Sequence, residues 1–364
     1  MMPTKMLRII LFALMGMVLV LPGCTGKPST DNTDKLRGKP PIGTVVTAMD
    51  GHARLLYHDS KENYWFGSKA MGVYKYDGHA LTLFTTNDGL CSHMVLSIQE
   101  DDAGNLYFDT PNGICKYNGE RFSKLEVAEG SKADRQWQTA QGDLWFSMGW
   151  QHNGPFRYDG QSLHPLAFPE NEKATEFYTK YPNAAYNPYG IFLIYQDSKQ
   201  NSWFGTANLG IYMFDGKQLH WQYDSSWTER PNGQVFGIRS IAEDPNGFYW
   251  ICHAHSKYQL LPGRPVNGGL KYINLQAQAG FVDENELWFI HMQADNDGVI
   301  WMLTFEQGVW KNDGTTLTQH FILVNGKKVS PNAVYLDRKG TLWFGTDGHG
   351  IYQYNGQEFV KFEL

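Results

Sequence analysis

The chain has 364 residues and a formal charge of −6, from 31 basic and 37 acidic side chains, with 15% aromatic residues and four cysteines. No basic run or basic-aromatic stripe is present, which argues against a nucleic-acid partner. After the first two dozen residues no apolar run approaches the roughly 20 residues of a membrane-spanning helix.

The chain opens on a targeting segment. Lys5 and Arg8 precede an apolar run over residues 9–21, 13 residues long and too short to cross a bilayer as an ordinary helix. Leu21-Pro22-Gly23-Cys24 follows and resembles the bacterial lipobox, which implies that Cys24 is lipidated and becomes the new N-terminus. Residues 1–23 then form a lipoprotein signal peptide. Residues 24–42, polar and rich in Pro, Gly, Ser and Thr, form a flexible tether. Loss of Lys5 and Arg8 leaves a formal charge of −8. Thr25 carries no inner-membrane retention signal by the enterobacterial rule, so the expected address is a lipid anchor in the bacterial cell envelope, at the outer membrane on its periplasmic or surface side.

From residue 43 onward one unit recurs. Its register marks are Trp65, Tyr107, Trp145, Trp203, Trp250, Trp301 and Trp343, at intervals of 42, 38, 58, 47, 51 and 42 residues. Such periods belong to four-stranded propeller blades. Six residues before the mark stands Asp59, Asp101, Asp197, Asp244, Asp295 or Asp337; the third repeat has Thr139. Three residues after that position comes Gly104, Gly142, Gly247, Gly298 or Gly340. The remaining repeats carry Asn63 and Asn201 one place later, read as the residues that accept a positive φ. A second turn signal follows the third strand, as in Asp77-Gly78, Asp215-Gly216 and Asn355-Gly356, and is read as a type I′ hairpin. Alternating runs such as Val73-Tyr74-Lys75-Tyr76 supply half-buried strands. Four such strands cannot bury both faces alone, so neighbouring units must stack. Closing the stack into a ring protects the edges. The expected fold is all-β, a seven-bladed β-propeller of four-stranded antiparallel blades over 43–364, with the repeated Trp residues as core between blades. Residues 43–49 either add an edge strand to the last blade or merely precede the first.

The best-formed repeat, Asp337-Arg338-Lys339-Gly340-Thr341-Leu342-Trp343-Phe344-Gly345-Thr346 followed by Gly350-Ile351-Tyr352-Gln353-Tyr354-Asn355-Gly356, resembles the two-component regulator propeller repeat. The fourth and first repeats are close; the third and fifth are diverged. The resemblance implies a propeller of the kind found in periplasmic sensors of bacterial hybrid histidine kinases and in free-standing proteins. With the last repeat running to Leu364, a free-standing form without kinase or sandwich domain is expected, acting through a partner.

Cys91 is expected at the start of an inner strand and Cys115 in the third strand of the same blade. The one strand between them, at about 4.8 Å per strand step, would hold them beyond bridging range. They and Cys252 are read as buried small hydrophobes.

The inner strand of a blade descends, the second climbs and the third descends. The loop between second and third strands therefore shares a face with the loop joining one blade to the next. The sequence puts its insertions on that face, the usual binding face of a repeat protein. They carry the candidate ligand-binding residues Trp150, His152, Tyr186, Tyr189, Trp227, Arg230, His253, His255, Tyr258 and His349. Aromatic planes beside hydrogen-bonding groups suit an oligosaccharide, although the same aromatics would also pin long loops to the scaffold. The histidines have no recognised metal-ligand spacing, and Asp-x-x-Gly lacks the further oxygen ligands calcium needs, so no metal or other cofactor is expected. No Gly-x-Ser-x-Gly elbow or phosphate-cradling glycine loop occurs. Three functions remain: a non-catalytic binder of a small ligand or an envelope protein, a histidine-dependent lyase or hydrolase resembling the streptogramin lyases, and a scaffold in an envelope assembly.

Overall fold

The computed structural model describes residues 42–363 except 130–136, 139, 141, 231–232, 254–255, 262–269, 271 and 277–286. The leader, Cys24 and residues 25–41 of the tether lie outside the described residues, as does His255. The described residues form a seven-bladed propeller of antiparallel sheets. Within each blade the strands of the repeat follow one another from the channel outward in chain order, as in blade four: Ile191–Gln196, Ser202–Thr206, Ile211–Phe214 and Leu219–Gln222. Blade three shows three strands among the described residues, Leu144–Phe146, Phe156–Tyr158 and Leu163–Pro165.

The repeated aspartate does more than shape a turn. Asp337 Oδ1 accepts the backbone N–H groups of Lys339 and Thr341 at 2.9 and 2.8 Å. Its Oδ2 accepts the indole N–H of Trp343 at 2.8 Å. Asp59, Asp197 and Asp295 hold Trp65, Trp203 and Trp301 in the same way at 2.8–2.9 Å, and Asp101 holds the Tyr107 hydroxyl at 2.8 Å. The turn thus orients the mark residue, whose ring then packs on the next blade. Trp65 lies 5.3 Å from Phe108, Trp203 5.0 Å from Tyr249 and Trp301 5.8 Å from Phe344, between ring centroids. All seven marks are buried, so they are inter-blade core as expected. Each such ring removes enough apolar area from water that its truncation would cost about 3–5 kcal/mol.

Several local expectations change. In the two repeats without the turn glycine, the residues with positive φ are Glu62 and Gln200, both at 66°, and not the asparagines. The Asn63 amide instead bonds the Asp59 carboxylate, at 2.9 Å to Oδ2. The Asp-Gly and Asn-Gly pairs are not type I′ turns. Only the glycine has positive φ, for example Gly78 at 89° and Gly356 at 96°. Asp77 Oδ1 accepts from His79 and Ala80 N–H, so a four-residue connection is capped by the side chain.

Cys91 and Cys115 form a disulfide with Cα atoms 5.8 Å apart. Cys91 precedes the inner strand Ser97–Glu100, in the connection that follows the short 3₁₀ turn Thr86–Asp88, and therefore lies over the third strand Gly113–Tyr117 without an intervening strand. Cys252 alone among the described residues is free and buried.

Ring closure follows neither anticipated route. Thr44–Val46 pairs with Leu81–Phe84 as a fifth, outermost strand of blade one, and all four strands of blade seven come from the chain end. Blades seven and one instead meet through side chains and turns. Tyr64 donates to Asp337 Oδ2 at 2.9 Å, Ala53 N–H donates to the Thr346 oxygen at 3.1 Å, and Tyr64 packs 4.7 Å from Trp343.

Candidate functional site at the channel mouth

The inner strands surround a channel of about 590 Å³, lined among others by Ser97, Gln99, Asp109, Tyr195, Gln196 and His291. On the face where the insertions gather it opens into a mouth of about 410 Å³. Trp150, Phe192, Arg239 and Ile290 line both spaces.

The mouth is built from two repeat positions. Five residues before the repeat aspartate, at the head of the inner strand, stand Arg54, Leu96, Phe192, Arg239, Ile290 and Asn332. All of these except Leu96 line the mouth. The same count back from Thr139 reaches Asp134, outside the described residues. The loop after the second strand adds Trp150, Phe305 and Asp347. Two of the inner strands are bulged at this level. The register of blade four slips at Phe192, between Ile191 and Leu193, and that of blade seven slips at Asn332, between Pro331 and Ala333. A bulge re-aims one side chain, and both re-aimed residues face the mouth.

Arg239 is the central cation. Its guanidinium carbon lies 4.1 Å from the Phe192 ring centroid, 5.2 Å from Phe236 and 6.0 Å from Phe305. Its Nε donates to the Phe236 backbone oxygen at 2.9 Å. Burial, with Arg230 nearby, pushes its pKa below the ordinary arginine value. Among the described residues no carboxylate pairs with it. Across the mouth Arg54 lies 3.5 Å from Asp347, whose other oxygen bonds His52. The His52 hydrogen bond, with help from Arg54 and Lys69, holds the Asp347 carboxyl below the usual range. Asn332 has its side-chain nitrogen and oxygen buried, and neither has a partner among the described residues. Deeper in the channel, burial raises Asp109 to about 6 although it accepts from Ser147 N–H, Ser147 Oγ and Met148 N–H at 2.8–2.9 Å. Burial lowers His291 to about 4.

The structure divides the residues singled out from the sequence. Trp150 is 43% exposed and lines the mouth. Tyr186 is exposed on the insertion between blades three and four, packed 5.5 Å from Phe177 of the helix Glu172–Lys180. Tyr189, Trp227, His253 and Tyr258 are buried. Trp227 packs 5.0 Å from Tyr258, whose hydroxyl meets His253 Nε2 at 3.1 Å, so these three pin the loops of blade five and present no surface to a ligand. His152 packs edge-on against Phe156 at 4.8 Å, and burial lowers its pKa. Arg230 covers the Phe236 ring at 5.0 Å. His349 is exposed and lines a separate crevice of about 360 Å³ beside Met49, Gly51, Lys361 and Phe362. Among the described residues no three His, Cys, Asp or Glu side chains are grouped to hold a metal ion. Sequence reading by residue type missed Arg54, Phe192, Arg239, Asn332 and Phe305. Counting back five from each repeat aspartate would have found the first four.

A family model described as two component regulator propeller matches residues 325–348, the stretch that enters blade seven and carries its Trp343. That stretch carries the regulator propeller repeat. Solved propellers extend the likeness over most of the described fold. The extracellular domain of a proposed one-component system from B. thetaiotaomicron is 22% identical with a TM-score of 0.57, covering 88% of this chain and 40% of that one. The corresponding domain of a proposed hybrid two-component system from the same organism is 18% identical, TM-score 0.59, covering 87% and 41%. Virginiamycin B lyase from Staphylococcus aureus is 14% identical, TM-score 0.58, covering 85% and 97%. These likenesses establish the fold. The chain spans about two-fifths of the two B. thetaiotaomicron proteins. No match was found among the curated proteins. Among the described residues no helix is long and apolar enough to cross a membrane.

Proposed function

We propose that this protein is a non-catalytic recognition module of the bacterial cell envelope, anchored through Cys24, that binds a small ligand such as a glycan at the channel mouth and reports it to a separate signalling system. One observation carries the reading. The repeat position that opens onto the channel holds Arg54, Phe192, Arg239, Ile290 and Asn332, while the positions that build the blade recur almost unchanged. A scaffold serving only itself has no use for a bulge at Phe192 and another at Asn332, each aiming one side chain into a cavity of ligand size. The Cys91–Cys115 disulfide supports a compartment outside the cytoplasm, where such bonds persist. Sensor domains among the structural neighbours agree with this address.

The test is a thermal-shift screen of the full chain against oligosaccharides. A ligand at 100 times its dissociation constant adds about 2.7 kcal/mol of stability. A saturable shift that Trp150→Ala and Phe192→Ala abolish supports the reading; a shift that survives both variants counts against the mouth. A protein partner on the same face is the second reading, favoured by Tyr178, Tyr181 and Tyr186, which stand 46%, 47% and 52% exposed around Phe177. Stoichiometric co-purification lost on replacing those tyrosines, with no oligosaccharide shift, would favour it.

A further inference from the structure

We propose that the mouth selects a ligand bearing a single carboxylate beside a hydroxyl or amide edge, with Arg239 as the counter-charge and Asn332 as the group that reads the edge. This deepens the preceding reading and rests on the mouth being the recognition site.

Arg54 and Asp347 face each other at 3.5 Å and largely offset one another's charge. Arg239 is left as the uncompensated cation of the described lining, in a protein whose overall charge is negative. Its Nε is committed to the Phe236 oxygen, and the Phe192 ring holds the guanidinium plane. What it has left to offer is the terminal pair of N–H groups, the fork that matches a carboxylate with two parallel hydrogen bonds. Arg230 stacks on Phe236 outside the described lining, so the one free cation of that lining is matched by one negative charge, and a second negative charge would meet Asp347.

Asn332 supplies the second element. An amide whose donor and acceptor are both buried without partners carries a desolvation cost. A ligand offering an acceptor and a donor side by side, as a hydroxyl pair or an amide does, relieves both. The bulge that aims Asn332 at the mouth places it on the rim opposite the blade-four bulge that carries Phe192. Phe192, Phe305 and Trp150 complete the lining with apolar faces. The walls take the body of the ligand, Arg239 its charge and Asn332 its polar edge.

The experiment is calorimetric titration of the full chain with D-galacturonate, its neutral methyl ester, N-acetylglycine and inorganic sulfate. At least one of the two carboxylates is expected to bind saturably. The ester should bind galacturonate's site at least about tenfold more weakly than the acid, since a hydrogen bond to a charged group contributes about 1.5–3 kcal/mol. Arg239→Gln should weaken the acid by roughly tenfold to a hundredfold, and Arg239→Lys, which keeps the charge without the fork, by less. Asn332→Ala removes the unpartnered buried amide, and should weaken the acid while melting close to the parent protein. Ester binding as tight as the acid, or acid binding unchanged in Arg239→Gln, overturns the carboxylate assignment and leaves a binder of neutral ligands. Binding of sulfate alone replaces the carboxylate by a sulfate ester. If neither carboxylate binds, the proposal fails even where the oligosaccharide screen finds a ligand, so its failure is separable from that of the mouth as a site.

Discussion

At one end of the ring, Asp59, Asp101, Asp197, Asp295 and Asp337 each accept two backbone N–H groups and hold the mark residue of the same blade. At the other end, one repeat position is occupied by Arg54, Leu96, Phe192, Arg239, Ile290 and Asn332. Both positions lie on the same inner hairpins, a single strand length apart. The difference follows from what each end must satisfy. The turn end has to bury an indole or phenol and pair its polar hydrogen, which a carboxylate at one spacing does well. The open end faces the channel, where no buried indole or phenol has to be paired and the side chain is left to chemistry.

The comparison is broken most easily at its structural end. Asp337→Ala removes the acceptor for Trp343 and Tyr64 as well as two backbone donors, and the indole N–H is buried. A loss of about 4 kcal/mol is expected in urea unfolding. Among the described residues the Asp244 side chain accepts only from Asn246 and Phe248 N–H, and the buried Trp250 Nε1 has no partner, so Asp244→Ala should cost about 1 kcal/mol. Equal losses would mean that the indole bond contributes nothing and the turns act through backbone shape alone.

Reduction of Cys91–Cys115 comes next. The bond closes a loop with a sequence separation of 24, and its loss should cost about 3 kcal/mol, read as a lower unfolding midpoint in the presence of reductant. An unchanged midpoint would mean that the connection before blade two is held by packing alone.

The two ends also differ in sign with pH. Burial pushes the Asp337 carboxyl up, but donors from Trp343, Thr341, Tyr64 and Lys339 outweigh it and hold the pKa below the ordinary carboxylate value. Its contribution is therefore present above that ordinary value and is lost as pH falls through the folded pKa. Asp109, raised to about 6 by burial in the channel, does the opposite. Its contribution is full below 3.8 and is lost as pH rises through about 6, an effect of roughly 2–3 kcal/mol. Asp109→Asn should flatten stability between these two pH values and leave the acid limb in place; an unaltered slope would remove Asp109 from the account.

The smallest expected change in stability is at the mouth. Phe305 is 53% exposed, and Phe305→Ala should shift the unfolding free energy by no more than about 0.5 kcal/mol while weakening any ligand-induced thermal shift. A large loss of stability would move Phe305 from the recognition surface to the scaffold.

These contrasts explain what could be read from the sequence. The blade was legible because its residues recur at fixed offsets: Trp343 after Asp337, Trp301 after Asp295, glycine in the turn. The channel mouth was not, because its residues share a register and not a type. Attention to conspicuous aromatics and histidines found Trp150 but also Trp227, His253 and Tyr258, whose size makes them good loop anchors and carries them into the core. Burial of that kind depends on how an insertion folds back, which spacing alone does not encode. The disulfide was missed for a related reason: Cys91 was assigned to a strand when the 3₁₀ turn Thr86–Asp88 displaces it into the connection above Cys115. Closure through Tyr64 and Asp337, without strand exchange, likewise rests on contacts 273 residues apart in the chain.

The central claim, that recognition belongs to the variable end of the inner hairpins, is tested most directly by a crystal structure of the full chain with whichever compound gives the largest thermal shift. The account predicts the ligand in the mouth, in contact with Phe192 and Trp150 and within hydrogen-bond distance of Arg239 and Asn332. A ligand in the outer crevice beside His349, or at the aspartate turns, would contradict it.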